Sequence, residues 1–373
     1  MRNWDKILRL IPGYDPFATA EGAVFCPEAA DMAVDFFAEC LKHIEGKLAG
    51  SAFLLEEWQQ GIVGNLFGWK RKDGTRRFRE AFIFVPRKNG KTPLAAGIAN
   101  LCFFCDDEPG AQGVCAAAEK EQAALTYRHA KGMIEQEPEL SSRVRVFRAL
   151  KSIAMVDDEA STFKVISADA DTKHGGNYSF AIIDELHAQP NRELVDVIQT
   201  SFASANRRQP LLIHITTSDF DRPSICNEKH DYASKVRDGI IKDAAFLPVI
   251  YEAKTTDDWR SPATWAKANP NLGVSVSLDY LQRECQRAQD TPTYESTFKR
   301  LHLNIRTEQD VRWLQMEAWD ACGATFDAAE LDGQPCFGGL DLSSTSDITA
   351  FVLYFPESRG EFTPPRRTRA GPD

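Results

Sequence analysis

The sequence predicts an α/β fold: a P-loop-type mostly parallel central sheet flanked by helices, then a helical stretch, then the first strands of a further unit. Three observations predict it. Short apolar runs at 81–86, 114–118, 161–168, 179–185 and 211–217 alternate with helix-like segments, the pattern of strands joined by crossovers. A glycine-containing loop, RKNGKT at 87–92, lies directly between one such run and an apolar helix. Another run, IIDE at 182–185, closes on two acids.

In chain order, residues 28–50 carry apolar side chains at helical spacing (Ala33, Val34, Phe37, Leu41, Ile44), starting beside Pro27 and stopping near Gly50. They set an N-terminal helical region at 1–50. A second helix is expected over 53–69, followed by the basic stretch KRKDGTRRFRE with a turn at Asp73-Gly74. AFIFVP at 81–86 is uniformly apolar and ends at Pro86, as a strand buried on both faces does. PLAAGIANLCFFC at 93–105 reads as a buried helix, with Pro93 tolerated in the first turn. VCAAA is a strand and 119–136 a helix; STFKVISA, SFAIIDE and LLIHITT complete the sheet. The core is placed at 51–225. From 226 to 335 helical pieces rich in Trp, Tyr and Phe predict a lid subdomain and linker. From 336 to 373, CFGGLDLSS and DITAFVLYF predict a strand pair before a tail of Pro, Arg and Gly.

Composition narrows the classes. The 373 residues are 43% hydrophobic and 26% charged, which suits a globular protein of two or more domains. A net charge of -10 argues against a protein that coats DNA generally and leaves room for a local basic track. There is no apolar run of membrane-spanning length and no signal-peptide core at the start. Nine scattered cysteines suit reduced thiols in the cytosol.

The loop at 87–92 has the parts a phosphate site needs. Asn89 and Gly90 turn backbone N–H groups toward an anion, Lys91 reaches phosphate oxygens, and the Thr92 hydroxyl can ligate Mg²⁺. The first glycine of the standard pattern is replaced by Val85. Asp184, at the end of a sheet strand, can reach the Mg²⁺ shell, and Glu185 can deprotonate an attacking water. Adjacent Asp and Glu therefore point to ATP hydrolysis rather than transfer to an acceptor. Arg87 supplies a cation for the transferring phosphoryl group. Thr216, Thr217 and Ser218 end the following strand and can sense loss of the γ-phosphate. Gln59 both donates and accepts, as reading an adenine edge requires.

These segments together resemble the large terminase subunit of tailed bacteriophages, in its HK97-like branch. The matching stretches are LLEEWQQGIVGNLFGWKR (54–71), FVPRKNGKTPLAAGIA (84–99), VISADADTKHGGNYSFAIIDELHA (165–188), VIYEAKTTDDWRSPATWAKANPNLG (249–273), FKRLHLNIRT (298–307) and GGLDLSSTSDITAFVLYFP (338–356). The resemblance implies an ATP- and Mg-dependent motor that moves double-stranded DNA into a procapsid. It implies a homo-pentamer docked on the portal protein, a small terminase subunit as partner, and the host bacterial cytoplasm as location. It assigns Lys91 and Thr92 to the phosphate loop, Arg87 to catalysis, and Asp184 and Glu185 to Mg²⁺ and base. It assigns Thr216 to Ser218 to coupling and Gln59 to adenine. The second domain of the family resembles RNase H, and Asp341 matches its first metal-binding acid. Two-metal cleavage gathers acids from several strands around ions roughly 4 Å apart. Few residues follow Asp341, so the nuclease site is expected to be incomplete and inactive. Asp347, Glu357 and Glu361 do not extend the pattern.

Other residues carry bland readings beside functional ones. Cys102 and Cys105 have metal-like spacing on an apolar helix and are expected to be buried thiols. His187 follows the acid pair and can position Glu185; His174-Gly175-Gly176 forms a loop before the acid strand. Two basic clusters, Lys70 to Arg79 and Arg143 to Lys151, are candidates for contact with DNA phosphates. An inactive prophage remnant and a helicase-like DNA-dependent ATPase are the competing readings.

Overall fold

Eight strands build one sheet whose two faces carry two separate apolar cores. The computed structural model describes residues 2–167, 176–203, 206–308, 321, 327–342 and 349–356. Among them the strands are β1 (Val24–Phe25), β2 (Trp69–Lys70), β3 (Glu80–Phe84), β4 (Gln112–Ala117), β5 (Val144–Phe147) and β6 (Ser152–Met155). They continue with β7 (Thr162–Ser167), β8 (Phe180–Asp184), β9 (Leu211–Thr216), β10 (Phe246–Ile250), β11 (Phe337–Asp341) and β12 (Ala350–Tyr354). The helices are α1 (Trp4–Ile7), α2 (Pro27–Cys40), α3 (Glu57–Gly68), α4 (Lys91–Cys105), α5 (Lys120–Glu135) and α6 (Pro138–Ser142). After them come α7 (Glu193–Ser201), α8 (Ile225–Arg237), α9 (Pro262–Ala268), α10 (Leu278–Asp290) and α11 (Pro292–Leu303).

The sheet order is β10-β3-β9-β8-β4-β7-β6-β5. Pairings from β10 to β7 are parallel, and β6 and β5 add antiparallel at the far edge. Alternation along each strand divides the side chains. Ile83, Cys115, Ile182 and Ile213 face the core shared with α2 to α5, while Phe82, Val114, Ile183 and Leu212 face α7 and α8. Central strands covered on both sides need apolar residues throughout, which is why their runs are continuous.

The structure corrects the expected boundaries in two places. Residues 1–50 are not a separate region: Trp4, Leu8 and Phe37 are buried in the same core as Ile83 and Leu94. The sheet does not stop at 225, because β10 pairs with β3 from Phe246↔Glu80 to Ile250↔Phe84. Pro248 lacks an N–H and interrupts the apolar run, yet an edge strand with one neighbour tolerates it. Beyond β10, helices α9 to α11 surround their own core of Trp265, Leu281, Phe298 and Leu303. Residues Arg312–Asp373 form a second unit by contact. In it β11 and β12 pair antiparallel, with Asp341 opposite Ala350, as the strand pair expected from the sequence. Asp347, Glu357, Glu361, His174 and Gly175 lie outside the described residues. No helix among the described residues is long and apolar enough to cross a membrane.

The densest basic cluster is partly interior. Arg76 and Arg77 are buried. Arg76 Nη2 donates to Asp106 Oδ2 at 2.5 Å, and its guanidinium lies over the Phe67 ring. Arg77 donates to the carbonyls of Pro16 (2.7 Å) and Ala244 (2.9 Å), tying the N-terminal segment to the chain before β10. A buried guanidinium persists only when paired and hydrogen-bonded. These two arginines are therefore structural; of the other basic residues in that stretch Arg71 and Lys72 are exposed and Lys70 and Arg79 half-buried.

Removing Arg76 should strand Asp106. Arg76→Ala is expected to destabilise by about 3 kcal/mol, whereas Lys72→Ala should stay within about 0.5 kcal/mol. Urea unfolding followed by circular dichroism measures both, and equal effects would refute the assignment.

Candidate active site

Parallel register brings the ends of three strands together. Phe84 pairs with Thr216, and Asp184 pairs with Ile215, so the residues after β3, β8 and β9 share one edge of the sheet. This is the edge where open α/β sheets bind ligands.

The loop after β3 has the shape of an anion cradle. Val85 still belongs to the sheet, its N–H donating to Thr216 O at 3.1 Å. The left-handed residues are Lys88 (φ 70) and Gly90 (φ 78). The position occupied by Val85 therefore does not require glycine, which accounts for the altered motif. Gly90 caps α4, and Thr92 lies in its first turn, where helix N–H groups have no intrahelical acceptor. Lys91 is buried, and its Nζ donates to Val85 O (2.9 Å) and Pro86 O (3.3 Å). Burial pulls this ammonium below its usual pKa, against the opposing charges of Glu185 and Asp184. An ammonium resting on two neutral carbonyls gains by exchanging them for anionic oxygens. Arg87 is exposed at the loop, with its backbone N–H on Leu301 O. Its charge bears on Lys91 and Glu185.

The two acids are tuned in opposite directions. Asp184 is buried; desolvation first, then the Glu185 charge, raises its pKa to about 6. Thr126 Oγ1 donates to Asp184 Oδ2 at 2.6 Å, and the Glu185 N–H donates to Oδ1 at 2.9 Å. Burial also acts to raise Glu185, but His187, Lys91 and Arg87 outweigh it and bring its pKa down to about 2. Glu185 is thus ionised at neutral pH. It sits at φ 48, ψ 55, a left-handed conformation that costs a non-glycine residue about 1 kcal/mol or more and recurs at functional sites.

His187 connects this acid to the next strand. Its Nδ1 lies 3.2 Å from Glu185 Oε2 and 3.1 Å from Thr216 Oγ1, and its backbone N–H donates to the same hydroxyl at 3.0 Å. Thr216 Oγ1 also lies 3.0 Å from Thr217 O, to which it can donate. The Thr217 hydroxyl is buried, and Ser218 N–H donates to Asn304 Oδ1 at 3.1 Å. Gln59 is buried; its Oε1 accepts from Glu56 N–H in a capping box at the start of α3. Its Nε2 faces the loop: a methyl group on Gly90 would lie 3.7 Å from it.

The structure thus gathers Gln59, Arg87, Asn89, Gly90, Lys91, Thr92, Asp184, Glu185 and Thr216 to Ser218 around one edge. Asp341 belongs to the second unit, exposed at the end of β11. Sequence reading missed Thr126, whose only signal is a hydroxyl within a helical pattern. It also missed the buried asparagines 269, 271 and 304. Oxygen donors are the chemistry Mg²⁺ prefers, and the Thr92 hydroxyl with the desolvated Asp184 carboxylate fit it.

Fold and site together are those of a P-loop ATPase domain. Comparison with known proteins specifies the family. The terminase large subunit ATPase-domain model matches residues 57–235, and the endonuclease-domain model of that subunit matches 240–362. The large terminase subunit of Enterobacteria phage HK97 is 30% identical over 313 residues, covering 83% of this chain and 59% of that protein. Protein YmfN of Escherichia coli K12 is 30% identical over 189 residues, 50% of this chain and 41% of that protein. The crystal structure of the HK97 large terminase aligns with a TM-score of 0.65 at 26% identity, covering 89% of this chain and 66% of that one. The chain belongs to the phage large terminase subunit family. It spans between 41% and 59% of the length of the curated relatives named here. The endonuclease match begins at 240, far ahead of the boundary at 336 expected from the sequence, and takes in most of the stretch read as lid and linker.

The raised pKa of Asp184 has a sign that can be tested. An acid raised in the folded state stabilises below its unfolded pKa, and that contribution is lost as pH rises from about 4 to about 6. Asp184→Asn should therefore stabilise the chain at pH 8, by roughly 3 kcal/mol, and have little effect at pH 4. Thermal melts at the two pH values decide it; equal shifts would count against a desolvated carboxylate.

Proposed function

We propose that this chain is the ATP-hydrolysing motor part of a phage terminase, acting on double-stranded DNA during packaging into a procapsid. The observation that carries the proposal is the convergence of Lys91, Asp184 and Glu185 at one sheet edge, joined through His187 to Thr216. In this reading Gly90, Lys91 and the first turn of α4 bind the β- and γ-phosphates, and Asn89 supports the loop. Gln59 binds on the adenine side. Thr92 and Asp184 hold Mg²⁺, which when bound neutralises phosphate charge. Glu185, anionic and held by His187, orients a water and takes its proton. Arg87 stabilises charge on the transferring phosphoryl group. Thr216, Thr217 and Ser218 pass the change in that charge to the segments bonded to them. Family membership supports a small terminase subunit and a portal protein as partners, and a pentameric assembly on the procapsid. Asp341 takes the first metal-binding position of an endonuclease centre.

Lys91→Ala and Glu185→Ala should each lower ATP turnover by at least about 10²-fold, with Glu185→Ala still binding ATP. A steady-state phosphate-release assay, run with and without DNA, checks this; unchanged turnover in either variant would sink the reading. Arg87→Ala should lower kcat by about 10²-fold or more and leave ATP affinity within a few-fold, as for a group acting on the transition state. Lost affinity would move Arg87 to ground-state binding.

A further inference from the structure

Three buried asparagines, two of them far along the chain from the phosphate loop, take hold of it. Asn89 Nδ2 donates to Asn269 Oδ1 at 2.8 Å, and to Pro86 O and Arg87 O at 3.1 and 3.3 Å. Asn89 Oδ1 accepts from the Asn271 N–H at 3.1 Å. Asn271 Nδ2 donates to Asn89 O (3.4 Å) and Ser275 Oγ (3.0 Å), and Ser275 Oγ donates to Lys88 O (2.7 Å). Asn271 Oδ1 accepts from Trp58 Nε1 at 2.8 Å. Asn269 Nδ2 completes the network on Trp265 O (3.0 Å) and His302 O (2.8 Å). Asn89, Asn269 and Asn271 are exposed by 0%, 2% and 5%, so the bonds among them are shielded from bulk water, while the Ser275 to Lys88 bond lies at the surface.

The same helical segment reaches the strand that follows the acid pair. Arg87 N–H donates to Leu301 O at 3.1 Å. Asn304, at φ 54 just past α11, accepts from Ser218 N–H and donates from Nδ2 to Tyr251 O at 3.0 Å.

We infer that Asn89, Asn269 and Asn271 are positioning residues for the nucleotide: they impose the phosphate-binding shape on the loop and fasten it to helices α9 to α11. Asn304 fastens the end of the β9 strand to the same helices. The inference rests on reading 87–92 as the ATP phosphate loop. The loop holds two left-handed residues, one of them Lys88, so its shape is not a local preference of the chain. It has to be imposed by bonds from outside the loop, and the asparagine amides supply them. An amide both donates and accepts, so two asparagines can satisfy each other and adjacent backbone without adding charge beside a phosphate. An acid or a lysine at 269 or 271 would also bond, but would repel the triphosphate or compete with Lys91 for it. A nucleotide that shifts the loop must therefore shift α9 to α11, and the end of β9 with them.

The test is ATP titration of turnover and of binding in the full chain, with melting temperature as the control for folding. Asn269→Ala removes the shortest of the three bonds from Asn89 Nδ2, the one that ties it to the helices, and should weaken ATP, read as KM and as calorimetric Kd, by about tenfold. Its kcat should fall by less than KM rises. Trp58→Phe keeps the ring, removes one donor from Asn271, and should shift KM the same way by a smaller factor. A general loss of packing would instead lower the active fraction and leave KM of the remainder unchanged. Both variants folded, with ATP affinity at the wild-type value while Lys91→Ala still abolishes turnover, would overturn the positioning role alone. Wild-type turnover insensitive to Lys91→Ala would overturn the reading of the loop and the inference with it.

Discussion

Parallel pairing of β3, β8 and β9 is the constraint on which the site depends. Each strand must run the same way for its end to arrive at the same edge, and the pairings Phe84↔Thr216 and Asp184↔Ile215 fix that arrival to within a residue. A slip of one residue in β8 would turn Asp184 to the opposite face and send Ile183 out of the core it shares with α7 and α8. The apolar cores on both faces forbid such a slip. Burial of Phe82, Ile83, Ile182 and Leu212 is thus what holds the chemistry in register.

The same edge concentrates features that oppose stability. Asp184 is desolvated beside Glu185, Lys91 is buried on neutral carbonyls, and Glu185 and Lys88 adopt left-handed backbone. Each costs folding free energy on the order of 1 kcal/mol or more. Their proximity makes the combination useful. The buried lysine and the two acids each offset part of the other's cost. In the strands leading to this edge, Phe82, Ile83 and Phe84, Ala181, Ile182 and Ile183, and Leu211, Leu212 and Ile213 are apolar and buried.

Most of the sheet was legible from sequence because central parallel strands leave a strong mark: apolar runs bounded by Pro or polar residues. The phosphate loop and the acid pair were legible because their chemistry is local. What escaped has physical reasons. β10 contains Pro248, permissible only because the strand is at an edge, a fact sequence does not carry. β5 alternates half-buried and exposed positions, with Arg145 facing outward, so its stretch reads as a basic patch. Arg76 and Arg77 read as surface charge; their partners Asp106, Pro16 and Ala244 are brought to them only by folding. The asparagine network joins residues some 180 positions apart, and no periodicity announces it.

That network also changes how the two family segments relate within the chain. The endonuclease-domain match starts at 240, yet residues 246–250 form the edge strand beside β3, and 269–304 bond directly to the phosphate loop and the end of β9. A boundary drawn between 235 and 240 would therefore cut through the ATPase sheet. An edge strand contributes five paired positions to β3, and the asparagines contribute the outer wall of the loop. The ATPase fold needs the segment through at least Asn304 to be complete. The phosphate loop, the end of β9 and the segment through Asn304 are, in this chain, parts of one hydrogen-bonded body.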